Sequence, residues 1–184
     1  RKDNSSYEVP FGEDAYVANM QSATDEYQTD SIRYTYTSLT TPLTTYGFNL
    51  NSKEKIQLKQ QKVGGGFNSS AYETKRIWAP AKDGTLVPVS IVYKKDGFKK
   101  DGTNPLLLYA YGSYGASTDP WFTSSVISLL DRGFVYAIAH VRGGQEMGRY
   151  WYDDGKLLKK KNTFTDYMDC AQYLVNEKYT SANK

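Results

Sequence analysis

From Ser31 the chain alternates between apolar and polar positions. Ile32, Tyr34 and Tyr36 are separated by Arg33, Thr35 and Thr37, the two-residue period of a strand with one buried face. Thr40-Thr41-Pro42 interrupts the run, Tyr46, Phe48 and Leu50 resume it, and Asn51-Ser52-Lys53-Glu54 supplies turn chemistry before Ile56 and Leu58. Three short strands spaced by turns predict an antiparallel meander, such as one blade of a β-propeller. With so little apolar surface, they need a further layer to pack on. Residues 1–30 are polar and acidic, and islands such as Tyr16-Val17-Ala18 show only weak periodicity.

Gly64-Gly65-Gly66 breaks this pattern and marks a boundary between two units, residues 1–66 and 67–184. Beyond it the grammar changes. Arg76–Ala79 reads as a strand, Asp83-Gly84 as a hairpin turn, and Val87, Val89, Ile91 and Tyr93 as a second alternating strand. Residues 94–104 form a Lys/Asp/Gly loop. Leu106–Tyr111 is continuously apolar, as in a strand buried on both faces, and Gly112-Ser113-Tyr114-Gly115 ends it. Phe122, Val126, Leu129 and Leu130 fall at helical spacing, with Gly133 as the stop. Phe134–Val141 is another apolar strand, ending at Arg142-Gly143-Gly144. Thr163 to Asp166 resembles a capping box, followed by Phe164, Tyr167, Met168, Ala171, Leu174 and Val175 as the predicted apolar face of a helix. Strands alternating with helices after a hairpin predict an α/β sheet, most of it parallel.

Composition narrows the function. A length of 184 residues with 39% apolar and 23% charged positions is globular, but too short for more than about one domain and part of another. No stretch reaches the roughly 18 apolar residues of a membrane-spanning helix, which argues against a membrane partner. A net charge of +3 is too small to argue for nucleic acid. One cysteine and one histidine exclude an intramolecular disulfide and make a Cys/His metal cage untenable. The chain begins at Arg1 without a leader-like segment and stops soon after a helical pattern. The expectation is a piece of a larger protein.

No P-loop, dinucleotide or G-x-S-x-G motif is present, so no cofactor is expected. Asp153-Asp154 reads as a solvated loop, and Lys156, Lys159, Lys160 and Lys161 as a solvated basic face. His140, inside an apolar strand, reads as a satisfied core residue rather than a general base, and Cys170 as a buried free thiol. Leu108-Tyr109-Ala110-Tyr111-Gly112-Ser113-Tyr114-Gly115 is the sharpest feature. In α/β folds ligands bind beyond the carboxyl ends of parallel strands. A phenol placed there can donate to an oxyanion, although position alone does not separate this from a packing role.

Several stretches occur in the order found in the prolyl oligopeptidase family of serine peptidases. They include Tyr72-Glu73-Thr74-Lys75-Arg76-Ile77-Trp78-Ala79, the Tyr109–Gly115 segment, Leu130-Asp131-Arg132-Gly133-Phe134-Val135, His140-Val141-Arg142-Gly143-Gly144, Trp151–Lys156 and Lys160-Lys161-Asn162-Thr163-Phe164. The chain resembles that family over residues 67–184, and its oligopeptidase B branch most. Residues 31–62 resemble the last propeller blade less specifically. The resemblance implies the end of a β-propeller followed by the start of an α/β-hydrolase domain. The parent would be a cytoplasmic endopeptidase, with a periplasmic location as the alternative, hydrolysing short peptides after Arg or Lys. Tyr111 matches the oxyanion-hole tyrosine and Tyr114 a ring lining the pocket for the residue before the scissile bond. Arg142, Gly143 and Gly144 match a loop given only a structural role. The Ser, Asp and His of the triad match nothing in this chain, so alone it is expected to be inactive and to self-associate through interrupted sheet edges. Rival expectations are a non-catalytic β-rich interaction module and an esterase or acylaminoacyl peptidase of the same fold.

Overall fold

A computed structural model describes residues 6–21 and 28–184. The first sheet is a four-stranded antiparallel meander of β1 (Tyr16–Gln21), β2 (Ser31–Ser38), β3 (Thr44–Asn49) and β4 (Lys55–Gln60), each paired with the next. It holds one strand more than the alternation predicts. β1 is an edge strand whose inner-face residues Tyr16, Ala18 and Met20 are only partly covered, with Met20 75% exposed, so its apolar period is weak. The remaining residues of the weakly periodic opening segment, 1–5 and 22–27, lie outside the described residues. Tyr34, Tyr36 and Phe48 are buried on one face with Phe11 and Tyr46 packed against them, while β4 is exposed throughout.

Residues 61–71 lead to the second sheet, built from β5 (Tyr72–Pro80), β6 (Leu86–Lys94), β7 (Leu106–Tyr109) and β8 (Val135–Ala139) in the order β5-β6-β8-β7. Three helices accompany it: α1 (Ser124–Leu130), α2 (Arg149–Asp153) and α3 (Lys161–Asn176). Strand alternation assigns the two faces. Val87, Val89 and Ile91 of β6 and Val135, Ala137 and Ala139 of β8 pack with Cys170 and Leu174 of α3. Val92 and Ile138 point the other way, against Ile127 and Leu130 of α1. Leu39, from the turn after β2, joins this second cluster and ties the two sheets together. A fully buried leucine such as Leu174 contributes about 1.5–3 kcal/mol.

Three expectations change. The sheet is mixed: β5–β6 and β6–β8 are antiparallel and only β7–β8 is parallel. The reason is the β5–β6 hairpin, which reverses direction at Asp83-Gly84 before β6 pairs with β8. The Leu106–Tyr111 run is not buried on both faces. Its strand ends at Tyr109, and Leu107 and Tyr109 are exposed because β7 lies at the sheet edge. The capping box at Thr163 is also absent. Helix α3 begins at Lys161, and Thr163 lies inside its first turn. Its buried face carries Thr163, Asp166, Asp169, Cys170 and Leu174, whereas Phe164 and Met168 are largely exposed. Asp169 accepts from the Lys82 amide at 2.9 Å, so this helix docks partly through hydrogen-bonded carboxylates.

Candidate active-site loops

The parallel pairing of β7 and β8 brings their carboxyl ends together, with Tyr109 opposite Ile138. The loops that follow them, Ala110–Ala116 and His140–Gly148, emerge side by side at the edge where α/β folds place ligands. Three glycines let the backbones touch. Gly112 has a φ of +62° and Gly143 one of +103°, and a Cβ on Gly143 would stand 2.2 Å from the Gly112 carbonyl oxygen. A Cβ on Gly155 would stand 2.1 Å from the Gly143 nitrogen. Gly115 N–H donates to Gly143 O at 3.0 Å, and Gly143 N–H to Trp151 O at 3.0 Å. Only glycine fits such approaches and such φ values.

Polar side chains fix this knot. Thr163 Oγ1 donates to Arg142 O at 2.6 Å. The Arg142 guanidinium grips Asp166 through Nε at 2.9 Å and Nη2 at 2.5 Å, and the Arg142 amide also donates to Asp166 at 3.0 Å. Its Nη1 reaches Asp83 in the β5–β6 turn at 2.7 Å. Hydrogen bonds to Asp166, then to Asp83, raise the Arg142 pKa beyond its already high value. The Thr85 amide, helped by Arg142, pulls the Asp83 carboxyl down to about 2. The Arg142-Gly143-Gly144 loop therefore has a structural part to play, with the charge pair binding a hairpin, a loop and a helix together. The basic run is not a plain solvated face. Lys156 pairs with Asp153 at 2.5 Å and Lys159 with Asp154 at 2.6 Å, which also places both aspartates in ion pairs. Lys160 Nζ turns inward, donating to Gly112 O at 2.5 Å and Ser113 Oγ at 2.8 Å.

Above the knot stand the two tyrosines singled out from the sequence. Tyr111 is 48% exposed and Tyr114 87% exposed. Tyr114 holds a φ of +57°, a left-handed conformation that costs a non-glycine residue of order 1–3 kcal/mol and persists only where its surroundings impose it. Both rings belong to one short loop at the carboxyl end of β7 and are open to an incoming molecule.

A second constellation was not foreseen. Ser90 Oγ lies 2.7 Å from His140 Nε2, and His140 Nδ1 lies 3.7 Å from Glu146 Oε1. The chain order Ser-His-Glu and the contacts mimic a catalytic triad. Burial argues against that role: Ser90 is 0% and His140 2% exposed, so no substrate carbonyl can reach the hydroxyl. The Glu146 contact is too long for a hydrogen bond and leaves His140 Nδ1 and Glu146 Oε2 without partners. Burial lowers the His140 pKa, against an opposing pull from Glu146. The carboxylate favours the proton on Nδ1, so Nε2 accepts from the Ser90 hydroxyl. Trp151 Nε1 donates to His140 O at 2.9 Å, completing a buried polar strut. His140 is thus a core histidine, bonded through Nε2 to Ser90, but not the satisfied one expected, since Nδ1 faces Glu146 without a hydrogen bond.

Cys170 is buried, and burial first, then Asp166 and Asp169, push its thiol up to about 12, so it is no nucleophile. A cleft of about 580 Å³ lies elsewhere, between Gly64–Phe67 and α1. Its polar groups already serve one another: Tyr72 Oη and Lys94 Nζ donate to Asp131 at 2.8 and 2.9 Å.

Comparison with known proteins places these loops in context. A profile described as the Prolyl oligopeptidase family matches residues 120–184. The chain is 56% identical over its whole length to Dipeptidyl aminopeptidase BI of Pseudoxanthomonas mexicana and covers 25% of that protein. It is 40% identical over 99% of its length to Protease 2 of Moraxella lacunata, covering 26% of it. Among solved structures, oligopeptidase B from Trypanosoma brucei with covalently bound antipain superposes with a TM-score of 0.82 at 44% identity, over 94% of this chain and 24% of that one. Oligopeptidase B from Leishmania major gives 0.81 at 41%, with 94% and 24% covered. The chain thus spans about a quarter of the length of the relatives it matches.

Proposed function

From a chain that belongs by sequence and fold to the prolyl oligopeptidase family, we infer a segment of a serine peptidase that hydrolyses short peptides. Residues 1–66 would close its propeller and residues 67–184 open its catalytic domain. The nucleophile, acid and base of the triad would come from chain outside this segment. In this reading the serine adds to the scissile carbonyl, and the Tyr111 hydroxyl donates to the oxygen as it becomes an oxyanion. Tyr114 presents its ring to the side chain preceding that bond. Support comes from the exposed Tyr111–Tyr114 loop, held beyond β7 by the glycine knot and strained at Tyr114.

For specificity we favour cleavage after Arg or Lys, supported by the likeness to two oligopeptidase B structures. The 56% identity to a dipeptidyl aminopeptidase favours a second reading, release of dipeptides from a free amino terminus. A blocked peptide with an internal arginine, a free dipeptidyl arylamide and a simple ester, offered to the full-length polypeptide, separate these readings. Preferential cleavage of the blocked peptide supports the first. Exclusive use of the free dipeptidyl substrate overturns it, and activity on the ester alone points to an esterase. No turnover of any of them leaves the interaction module. Tyr111→Phe in the active protein should lower kcat by about 10²–10³ with little change in KM, because an oxyanion donor acts on the transition state. A loss confined to KM would remove the oxyanion role. The 184-residue chain alone should show no turnover above buffer and should self-associate, since β7 leaves one edge unpaired with Leu107 and Tyr109 exposed.

A further inference from the structure

Within the Lys156–Lys161 run, Lys160 behaves unlike its neighbours. Lys156 and Lys159 meet carboxylates at the surface. Among the described residues Lys160 pairs with none. Its ammonium instead donates to the Gly112 carbonyl at 2.5 Å and the Ser113 hydroxyl at 2.8 Å. Gly112 is buried, and its carbonyl has one further contact, Thr163 Oγ1 at 3.4 Å. Burial lowers the Lys160 pKa, in keeping with a cation partly withdrawn from water.

The gripped peptide, Gly112–Ser113, begins one residue after Tyr111. Gly112 sits at a φ of +62°, where any Cβ would lie 2.5 Å from Val141 Cγ2 and 2.6 Å from Thr163 Cγ2. Tyr114, two residues on, is itself left-handed at φ +57°. A loop strained at Tyr114 relaxes unless it is held from both sides. The Gly143 carbonyl holds one side, accepting from Gly115 N–H at 3.0 Å. Lys160 holds the other. Its own backbone is fixed at the start of α3, where Lys160 O accepts from Thr163 N–H at 3.2 Å.

We propose that Lys160 is a positioning residue for the oxyanion donor: its ammonium clamps the Gly112–Ser113 peptide and so fixes where the Tyr111 hydroxyl points. The proposal rests on the oxyanion role given to Tyr111 above. A charge-assisted bond is roughly twice as strong as a neutral one, and displacement of a reacting group by about 1 Å can cost about 10²-fold in rate. Lys160 acts through Tyr111 and not on the substrate, so its loss should fall on kcat and vanish once the Tyr111 hydroxyl is gone.

A double-mutant cycle in the active full-length protein tests this. Lys160→Met, which keeps the stem and removes the donors, should lower kcat about 10–100-fold with KM within about twofold. Lys160→Arg should recover most of that loss. In a Tyr111→Phe background, Lys160→Met should cost less than about threefold more. A Lys160→Met enzyme within twofold of wild type, a loss carried by KM, or full additivity with Tyr111→Phe would each overturn the clamp while leaving the oxyanion role in place. A silent Tyr111→Phe would instead remove the oxyanion reading, and the clamp with it. If Lys160→Met cannot be purified, Ser113→Ala takes its place in the cycle: a kcat loss that disappears in the Tyr111→Phe background supports the clamp, and no loss or an additive one rejects it.

Discussion

The two sheets bury polar atoms in different ways. In the first, one face is covered by rings. Phe11 stacks on Tyr36 at 5.5 Å and tilts against Tyr16 at 4.8 Å, and Tyr34 packs on Tyr46 at 5.4 Å. A one-faced sheet suits tyrosine, whose ring packs inward while its hydroxyl can reach a partner; Tyr36 does so, whereas the Tyr34 hydroxyl is buried without one. Glu13 is the main partner. Its carboxylate accepts from Tyr36 Oη at 2.7 Å, Ser38 Oγ at 2.6 Å and Thr41 Oγ1 at 2.8 Å, and also from Thr40. The second sheet is sandwiched between helices and filled with Val, Ile, Leu and Ala. Its buried polar residues, among them Ser90, His140, Arg142 and Asp166, gather beneath the loops that carry Tyr111 and Tyr114. Polar burial in the first sheet finishes a layer; in the second it braces a candidate site.

The largest effect should come from the glycine knot, set against the linker. Gly143→Ala puts a methyl group 2.2 Å from the Gly112 carbonyl oxygen and 3.0 Å from its carbon at a φ of +103°, and these two contacts are backbone that cannot step aside. A loss of about 4 kcal/mol or more, or failure to fold, is expected. Gly64→Ala, with nothing within 4 Å of its Cβ, should change the unfolding free energy from denaturant titration by less than about 0.5 kcal/mol. Equal effects would mean that the knot does not brace the fold.

Next is Arg142→Met. It strips the buried Asp166 carboxylate, 0% exposed, of its cation, and removing one partner of a buried pair costs about 3–5 kcal/mol. The exposed Lys94–Asp131 pair should cost about 0–1 kcal/mol when Lys94 becomes Met. Chemical denaturation of the two variants measures the difference directly.

The same contrast explains what could be read in the sequence. Alternation located β2, β3, β4 and β6 because apolar side chains recur at every second position in each, even in β4, which is exposed throughout. It missed β1, an edge strand with Met20 in solvent. It also misjudged α3, because the face that docks carries Thr163, Asp166 and Asp169 while Phe164 and Met168 look outward. Hydrophobicity cannot announce a helix held by carboxylates whose partners, Arg142 and the Lys82 amide, lie far away in the chain. The Tyr111–Gly115 segment stood out through its glycines. Lys160, Thr163 and Gly155, which hold that segment in place, are brought to it only by the fold.

In the first sheet, Glu13→Gln tests the hydroxyl hub. A neutral amide offers one acceptor oxygen where the carboxylate offers two, and its NH₂ group competes with the surrounding hydroxyls for acceptors. The expected loss is about 1–3 kcal/mol, the range for removing hydrogen bonds to a charged group. Hydrogen-exchange protection should fall in β2 and leave β6 and β8 unchanged. A uniform loss across both sheets would show that they unfold as one unit and would dissolve the distinction drawn here.

The smallest effect is a pH dependence confined to the second sheet. His140 is the chain's one histidine, and burial holds its pKa below 6.5 in the fold despite the pull of Glu146, while Arg76 also opposes protonation and Asp119 favours it. Protonation would further require Nε2 to donate to Ser90 rather than accept from it. In the unfolded chain the ring titrates near its ordinary 6.5, so on acidification the unfolded state takes up the proton first. Its contribution to stability is therefore complete above about pH 6.5 and is lost as the pH falls from there towards the lower folded value. Between pH 7 and 6 the loss is at most about 0.7 kcal/mol, the limit for one histidine with an ordinary unfolded pKa. Unfolding midpoints at the two pH values, for the wild-type chain and for His140→Gln, isolate that contribution, because no other histidine titrates in this window. The variant should be less stable overall and flatter with pH. Stability that rises on acidification in the wild type, and not in the variant, would mean that His140 is held charged by Glu146, and the Ser90–His140–Glu146 strut would then be an ion pair rather than a neutral relay.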